Sequence, residues 1–307
     1  MNPEVRDVAA CALSFVAAAL LLWRSRSKSC GNGKGLASRP RRVLLVGAGP
    51  GHPDLISVRG LRAIQAADVL VFDRLVSPEL LAQARPNAVR VNVGKAPLKK
   101  RFKQDEINKI LVSLGQGTYE GKRIQEGALI VRLKGGDPFV FGLGGDEILA
   151  LHEANIAYEV VPGISSALAV PAGVNIPVTQ KGVSTAFTVL SGHVPPGEPG
   201  AADWENLPRT NATLVVLMGA KSLPKIASFL LSRGWDPATP SAVIQSGTTI
   251  AQKSIRTRLD TLTADAFEAG MASPCIIVIG QSCDVLPGLV DTQGSSNDPW
   301  GLARAPL

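Results

Sequence analysis

Short apolar segments rich in Val, Ile and Leu alternate with helical segments along most of this chain of 307 residues, and this alternation constrains the fold more than any other feature. Such alternation predicts strands that pair mainly in parallel and are connected by helices. The clearest helix is predicted over residues 104–114, where apolar residues recur at helical spacing. We therefore expect an α/β fold. The predicted strands cover residues 43–46, 69–72, 89–93, 128–133, 158–161, 187–190, 214–218, 242–245 and 276–279.

The length of the chain accommodates two α/β domains. We predict an N-terminal domain over residues 42–161 and a C-terminal domain over residues 162–287, divided at Pro162 and Gly163, with a ligand cleft between them. Residues 1–41 are expected to precede the folded part, and residues 288–307 to form a tail.

Residues 8–23 form an uncharged apolar run that is followed at once by the basic sequence RSRSK. At ~1.5 Å per residue, a helix of this length spans roughly 24 Å, which is short of a bilayer core of ~30 Å. The basic flank favours a single membrane anchor with the folded part facing the cytosol. The alternatives are an organelle leader, plastid or mitochondrial, and, less favoured, a buried core helix. In each case residues 24–41 are predicted to form a flexible basic linker.

The net charge of +7 is concentrated in one segment. Residues 24–42 contain seven basic side chains and no acidic one, so the rest of the chain is close to neutral. This distribution argues against a nucleic-acid partner. The four cysteines and three histidines are scattered, and they indicate neither a disulfide framework nor a metal site.

The stretch LLVGAGPGHPD, residues 44–54, predicts a loop that lies close to a ligand after the first strand. It departs from the dinucleotide fingerprint, because its third glycine comes one residue early. Pro50 and Pro53 also lack backbone donors for a phosphate. We therefore predict a ligand-binding loop that does not bind a dinucleotide.

Three more strands of the first half are followed by glycine or ionisable residues, namely Asp73-Arg74, Gly94-Lys95 and Gly135-Gly136-Asp137. Ligands of open α/β sheets bind at the carboxyl ends of the strands. A carboxylate and an ammonium at neighbouring strand ends are suited to accept and donate protons. In the alternative interpretation, Asp73 caps a turn and Lys95 is solvated.

Eight motifs of this chain resemble the tetrapyrrole methylase family, and in particular its uroporphyrinogen-III C-methyltransferases. They cover residues 43–280 in order: VGAGPGHPDLIS, VFDRLVS, VGK, VRLKGGDPFVFGLGGDE, VPGISSALAVPAGVNIPVT, LSGH, VVLMG and IQSGTT. The resemblance implies two α/β domains with the active site in the cleft between them, a homodimer, S-adenosylmethionine as methyl donor and no metal. It also implies methylation of uroporphyrinogen III at C2 and C7, which gives precorrin-2 for sirohaem or cobalamin.

The resemblance also implies roles for individual residues. Asp73 would be the proton acceptor and Lys95 the proton donor. The cofactor would be bound by Pro50, Gly135, Gly136, Asp137, Val140, Ser165, Ser166, Met218 and Gly247. The substrate carries eight carboxylates, and Arg74, Lys134 and Lys181 would bind it together with Asp146. The basic run Lys99, Lys100, Arg101 and Lys103 would either assist them or form a solvated loop.

The chain departs from the family pattern mainly on the substrate side. Leu143 replaces the arginine of FGRGGEE, Asp146 replaces its first glutamate, and Ala96 and Gln180-Lys181 are also unusual. Losing one charge-assisted bond to a carboxylate costs about 1.5–3 kcal/mol. We expect an active enzyme with an altered substrate pocket. The alternatives are a weakly active or inactive relative that binds a tetrapyrrole or S-adenosylmethionine, and a methyltransferase that acts on another precorrin.

Overall fold

The computed structural model describes residues 40–94, 102–208 and 211–286. The first half contains β1 (Arg42–Gly47), α1 (Val58–Ala66), β2 (Val69–Phe72), α2 (Pro78–Ala82), β3 (Val89–Asn92), α3 (Gln104–Gln116), β4 (Thr118–Tyr119), β5 (Lys122–Arg123), β6 (Leu129–Lys134), α4 (Gly144–Glu153) and β7 (Ala157–Val161). The second half contains α5 (Ser166–Ala172), β8 (Ala186–Ser191), β9 (Ala212–Leu217), α6 (Leu223–Ser232), β10 (Pro240–Gln245), β11 (Lys253–Arg258), α7 (Leu262–Glu268) and β12 (Cys275–Ile279). These elements confirm the α/β fold class.

The first sheet has the order β3-β2-β6-β1-β7, and all of its pairings are parallel. Residues of β1 alternate between its two faces. Val43 and Leu45 pack with the apolar side of α3, whereas Leu44 and Val46 pack with α1. Because both faces are covered, the central strands β1 and β6 are buried and largely apolar, and the buried exceptions are Arg132 and Lys134 of β6. The parallel register also places the carboxyl ends of β1, β2, β3 and β6 at one edge, as the sequence predicts.

The second sheet has the order β11-β10-β12-β9-β8. Only β8 and β9 pair in parallel, and the other three pairings are antiparallel. The expectation of mainly parallel strands is therefore wrong for this half. The sequence analysis missed β11, which returns from β10 through a connection too short for a parallel crossover.

The remaining differences concern short or weakly patterned elements. The sequence analysis did not predict α2, the hairpin of β4 and β5, α6 or α7. The hairpin directly follows α3 and pairs Thr118 with Arg123 and Tyr119 with Lys122. The domain boundaries stay a prediction, although β7 ends at Val161 as expected.

The N-terminal apolar run, residues 8–23, lies outside the described residues, and so do the linker and the tail. Within the described ranges, no helix combines the length and apolar character needed to cross a bilayer.

Two cysteines lie in the core of the second half, and their burial predicts low reactivity. Burial raises the pKa of Cys275 to about 11 and that of Cys283 to about 12. The thiolate is the reactive form, so at pH 8 both side chains are almost entirely unreactive thiols.

In the folded protein, iodoacetamide should leave Cys275 and Cys283 unmodified, and in urea it should alkylate both within the same time. Peptide mass spectrometry measures this site by site; equal rates in the two conditions would contradict the buried placement.

Candidate functional site

Three glycines bring together the loops that follow β1, β6 and β7. A Cβ atom on Gly163 would lie 2.2 Å from the carbonyl oxygen of Gly136 and 2.6 Å from Cα of Gly47. Contacts this short exclude any side chain at Gly163. The backbones of three strand ends therefore approach one another more closely than any other residue type allows.

The glycine-rich loop after β1 is bonded directly to the loop after β6. Gly136 N donates to Gly49 O at 2.7 Å, and Gly49 N donates to Gly136 O at 3.2 Å. Both glycines have positive φ, 78° for Gly49 and 68° for Gly136, which strains other residues. The space beside Gly136 is open, since a Cβ there would find its nearest neighbour, Ser166 N, at 3.9 Å.

The second half supplies two further segments to this region. Ser165 caps α5 by accepting a hydrogen bond from Ala167 N at 3.2 Å. Thr248 accepts a bond from His52 N at 3.3 Å, which ties the QSGTT segment to the β1 loop. Gly247 packs on α5, because a Cβ at this position would meet Val170 at 2.4 Å. The structure thus brings together the segments that hold Pro50, Gly136, Ser165, Ser166 and Gly247.

The other predicted cofactor residues are placed as follows. Asp137 fixes its own loop, because its carboxylate accepts bonds from Phe139 N at 2.8 Å and Gly163 N at 3.0 Å. Met218 follows β9 with φ 59° and is 49% exposed. Val140 is exposed in the loop after β6, and Gly135 lies beside Leu75. Their roles in cofactor binding stay predictions.

Asp73 follows β2, and its carboxylate faces a buried arginine. Arg132 of β6, only 1% exposed, donates from Nη2 to Oδ1 of Asp73 at 2.8 Å. The turn after Asp73 closes through its backbone carbonyl, which accepts a bond from Val76 N. The side chain of Asp73 therefore forms an ion pair, and the bond that closes the turn involves its backbone and not its carboxylate.

Lys134, which we predicted to contact the substrate, is buried beside the same cluster. Its Nζ donates to Oε1 of Glu147 at 2.7 Å, and Arg132 Nε donates to the same oxygen at 3.1 Å. Burial, with a smaller contribution from Arg132, lowers the pKa of Lys134, while the carboxylates of Glu147 and Asp73 oppose this shift. In this structure the ammonium faces Glu147 and not the solvent.

The other residues that we predicted to bind substrate lie at the surface. Arg74 is exposed and its backbone touches Gly94, where a Cβ would lie 2.3 Å from Arg74 N. Asp146 is exposed in the first turn of α4, and Lys181 is exposed in a turn before β8. Lys95, the predicted proton donor, lies outside the described residues, as do Ala96 and most of the basic run after it.

Leu143 precedes α4 in a left-handed conformation, with φ 57°, and 55% of its surface is exposed. Positive φ is unfavourable for leucine, so the loop imposes this conformation. Phe141 in the same loop also has positive φ and is exposed. The loop that departs from the family pattern at Leu143 therefore exposes two apolar side chains on a strained backbone.

The sequence analysis missed Arg132 and Glu147 as members of the charged cluster beside Asp73. One signal was available, because β6 reads LIVRLK and carries two cations on one face of an otherwise apolar, buried strand. Two buried cations require a buried anion. The sequence pattern does not indicate which acidic residue of α4 supplies it.

Fold and candidate site together define a class of protein: a two-sheet α/β protein in which glycine-rich strand ends meet beside an ion-paired carboxylate. The chain belongs to the tetrapyrrole (corrin/porphyrin) methylase family, whose model matches residues 42–263. Among the described residues, no group of three or more His, Cys, Asp or Glu side chains is arranged to hold a metal ion.

Relatives of known activity match most of the chain. A uroporphyrinogen-III C-methyltransferase of Methanocaldococcus jannaschii is 47% identical over 247 residues, which are 80% of this chain and 98% of the relative. A siroheme synthase of Methylococcus capsulatus is 44% identical over 239 residues, 78% of this chain; the match spans only 48% of that longer protein.

A solved structure supports the same relationship. The uroporphyrin-III C-methyltransferase of Thermus thermophilus in complex with S-adenosyl homocysteine matches with a TM-score of 0.66 and 35% identity. The match covers 80% of this chain and 100% of that chain.

The close approach of the glycines predicts a large effect of a small substitution. Gly163→Ala should destabilise the protein by about 1–3 kcal/mol, because the added methyl group forces the loops apart. It should also weaken binding of S-adenosylhomocysteine at these loops. Thermal unfolding and titration calorimetry measure the two effects. Gly145→Ala is the matched control, since nothing lies within 4 Å of its Cβ position; similar losses in both variants would refute the assignment.

Proposed function

We propose that this chain is an S-adenosylmethionine-dependent C-methyltransferase that methylates uroporphyrinogen III at C2 and C7 to give precorrin-2. The observation that carries this proposal is the 47% identity to the M. jannaschii enzyme over 98% of that enzyme's length. The structure agrees with it, because the loops after β1 and β6 and the carboxylate after β2 lie at one edge of the sheet. The proposal concerns methylation alone, since the chain spans about half the length of the siroheme synthases it matches.

The residues at this edge fit an adenosyl ligand. The surface beside Gly136 has no side chain, and Ser166 N lies next to it. Glycine backbone N–H and C=O groups are suited to bind polar ligand atoms closely. Met218 is exposed at the end of β9 and offers a polarisable apolar contact. We assign cofactor binding to Pro50, Gly135, Gly136, Asp137, Val140, Ser165, Ser166, Met218 and Gly247.

The chemistry requires methyl transfer to a pyrrole carbon and loss of a ring proton. S-adenosylmethionine supplies the methyl group from its sulfonium centre. Asp73 accepts the proton that leaves the alkylated ring, and Arg132 holds the acceptor carboxylate in position. We retain Lys95, which lies outside the described residues, as the proton donor that the family resemblance implies. Positioning of the reacting groups accounts for much of the expected acceleration.

On the substrate side we retain the exposed residues Arg74, Asp146 and Lys181. Arg74 follows Asp73 directly, so its guanidinium can pair with substrate carboxylates near the proton acceptor. The chain as a whole is proposed to form a homodimer, as the family resemblance implies. Light scattering of the folded part tests this assembly.

We further propose that residues 8–23 direct the protein to a membrane as a single anchor with the enzyme facing the cytosol, or act as an organelle leader. Support comes from the uncharged run and its basic flank. Cell fractionation combined with N-terminal sequencing separates an intact anchor from a cleaved leader.

A second candidate function follows from Leu143, which is exposed where the family pattern has an arginine. Without an arginine in this loop, the protein could bind S-adenosylmethionine or a tetrapyrrole with little turnover. It could also methylate another precorrin.

Asp73→Asn should abolish most of the turnover, by about 100-fold or more, because the amide cannot accept the ring proton. Residues 40–307 are given uroporphyrinogen III and S-adenosylmethionine under anaerobic conditions, and dimethylated product is measured by mass spectrometry. Binding of S-adenosylhomocysteine should be unchanged and serves as the control. A parent protein that binds this ligand but forms no methylated product would refute the proposal for this substrate.

Leu143→Arg should increase the affinity for uroporphyrinogen III, because a charge-assisted bond to a carboxylate contributes about 1.5–3 kcal/mol. We expect KM for uroporphyrinogen III to fall by roughly 10-fold or more while KM for S-adenosylmethionine stays constant. Leu143→Gln is the matched control, since it is long and polar but uncharged. Equal effects of the two substitutions would show that charge at this position does not matter.

A further inference from the structure

Two buried charged residues beside Arg132, Glu147 and Lys134, remain without a role in the proposed reaction. Glu147 lies in the first turn of α4, and its side chain is completely buried. A buried carboxylate is costly unless other groups compensate its charge. Lys134 Nζ and Arg132 Nε both donate to Oε1 at 2.7 and 3.1 Å, and Gln104 Nε2 lies 3.4 Å from the same oxygen. The second oxygen, Oε2, has no hydrogen-bond partner among the described residues.

Arg132 connects this carboxylate to Asp73. Its guanidinium donates from Nε to Glu147, from Nη2 to Asp73 and from Nη1 to Leu133 O. Because the guanidinium is planar and rigid, bonds at Nε and Nη1 determine where Nη2 lies. The position of Glu147 therefore determines where Arg132 holds the carboxylate of Asp73.

The cluster is balanced in charge, with the cations of Arg132 and Lys134 facing the carboxylates of Asp73 and Glu147. Without Glu147, two buried cations on neighbouring positions of one strand face would repel each other, and Arg132 would lose the bond at Nε. The ammonium of Lys134 compensates the charge of Glu147. Contact with substrate is therefore not needed to explain why Lys134 is buried.

We infer that Glu147 is a positioning residue for methyl transfer: through Arg132 it holds the carboxylate of Asp73 in place for removal of the ring proton. This inference rests on the proposed function. Gln104 extends the same arrangement to the start of α3, so two elements of the first half, β6 and α3, contact Glu147 of α4.

The test compares Glu147→Gln with Glu153→Gln in the protein of residues 40–307. Glu153 lies at the end of the same helix and is exposed, so its substitution is the control. Glu147→Gln should lower kcat for methylation by roughly 10- to 100-fold, because small displacements of a reacting group have effects of this size. KM for S-adenosylmethionine and the affinity for S-adenosylhomocysteine should change by less than about 2-fold.

A double-mutant cycle with Asp73→Asn separates positioning from a general structural role. If Glu147 acts through Asp73, Glu147→Gln should cost less than about 3-fold once Asp73 is already asparagine. An equal loss in both backgrounds, or a parallel loss of cofactor affinity, would overturn the inference.

If Glu147→Gln does not fold, the pair Glu147→Leu with Lys134→Met removes anion and cation together. This pair should fold and show the same loss of kcat, and an unchanged kcat would overturn the inference.

Crystal structures of the parent and of either variant provide a readout independent of activity. The Asp73–Arg132 contact of 2.8 Å should be lost or rearranged when Glu147 is replaced. An inactive parent would refute the proposed function. In that case, comparing the Asp73–Arg132 distance in parent and variant would still show whether Glu147 positions Asp73. An active parent whose variant keeps both the contact and kcat would refute the inference alone.

Discussion

The approach of three strand ends through glycine is the constraint on which the rest of the site depends. Gly47, Gly136 and Gly163 lie so close that a single methyl group would push the loops apart. Their contact brings the first loop, the GGD segment and the start of α5 into one place. Loops on the surface are usually mobile, but these are bonded to one another by backbone groups and by the carboxylate of Asp137. The site is therefore formed largely by the backbone.

The charged side of the candidate site is held by buried ion pairs and not by close backbone contacts. Asp73 projects from the same edge of the sheet, and a chain of buried charges behind it holds its position. Ion pairs of this kind seldom add to stability, because removing charges from water offsets their attraction. Their effect here is to fix the geometry of the Asp73 carboxylate, which accepts a hydrogen bond from Arg132 at 2.8 Å.

The first sheet and most of the site segments could be predicted from the sequence, because apolar strands with ligand-type residues at their ends have a strong local pattern. The order in the chain also indicated where β2 ends and where Asp73 lies. The antiparallel part of the second sheet could not be predicted, since β11 reads KSIRTR and its single apolar residue gives no strand pattern. The partner of Lys134 was equally hidden, because Asp146 and Glu147 are adjacent in sequence and only the packing of α4 decides which one is buried. Helix α6 was missed, although its apolar residues do pack on the second sheet.

The buried cluster around Glu147 also limits how this region can diverge. Replacing one member leaves an uncompensated charge in the core, whereas exchanging an acidic and a basic member together for apolar residues is nearly neutral for folding. Single substitutions at Arg132, Lys134 and Glu147 are therefore expected to be removed by selection even in a relative that has lost its activity. A relative that has lost its activity but still folds would change an acidic and a basic position of the cluster together. Paired changes among relatives therefore indicate loss of catalysis with retention of the fold.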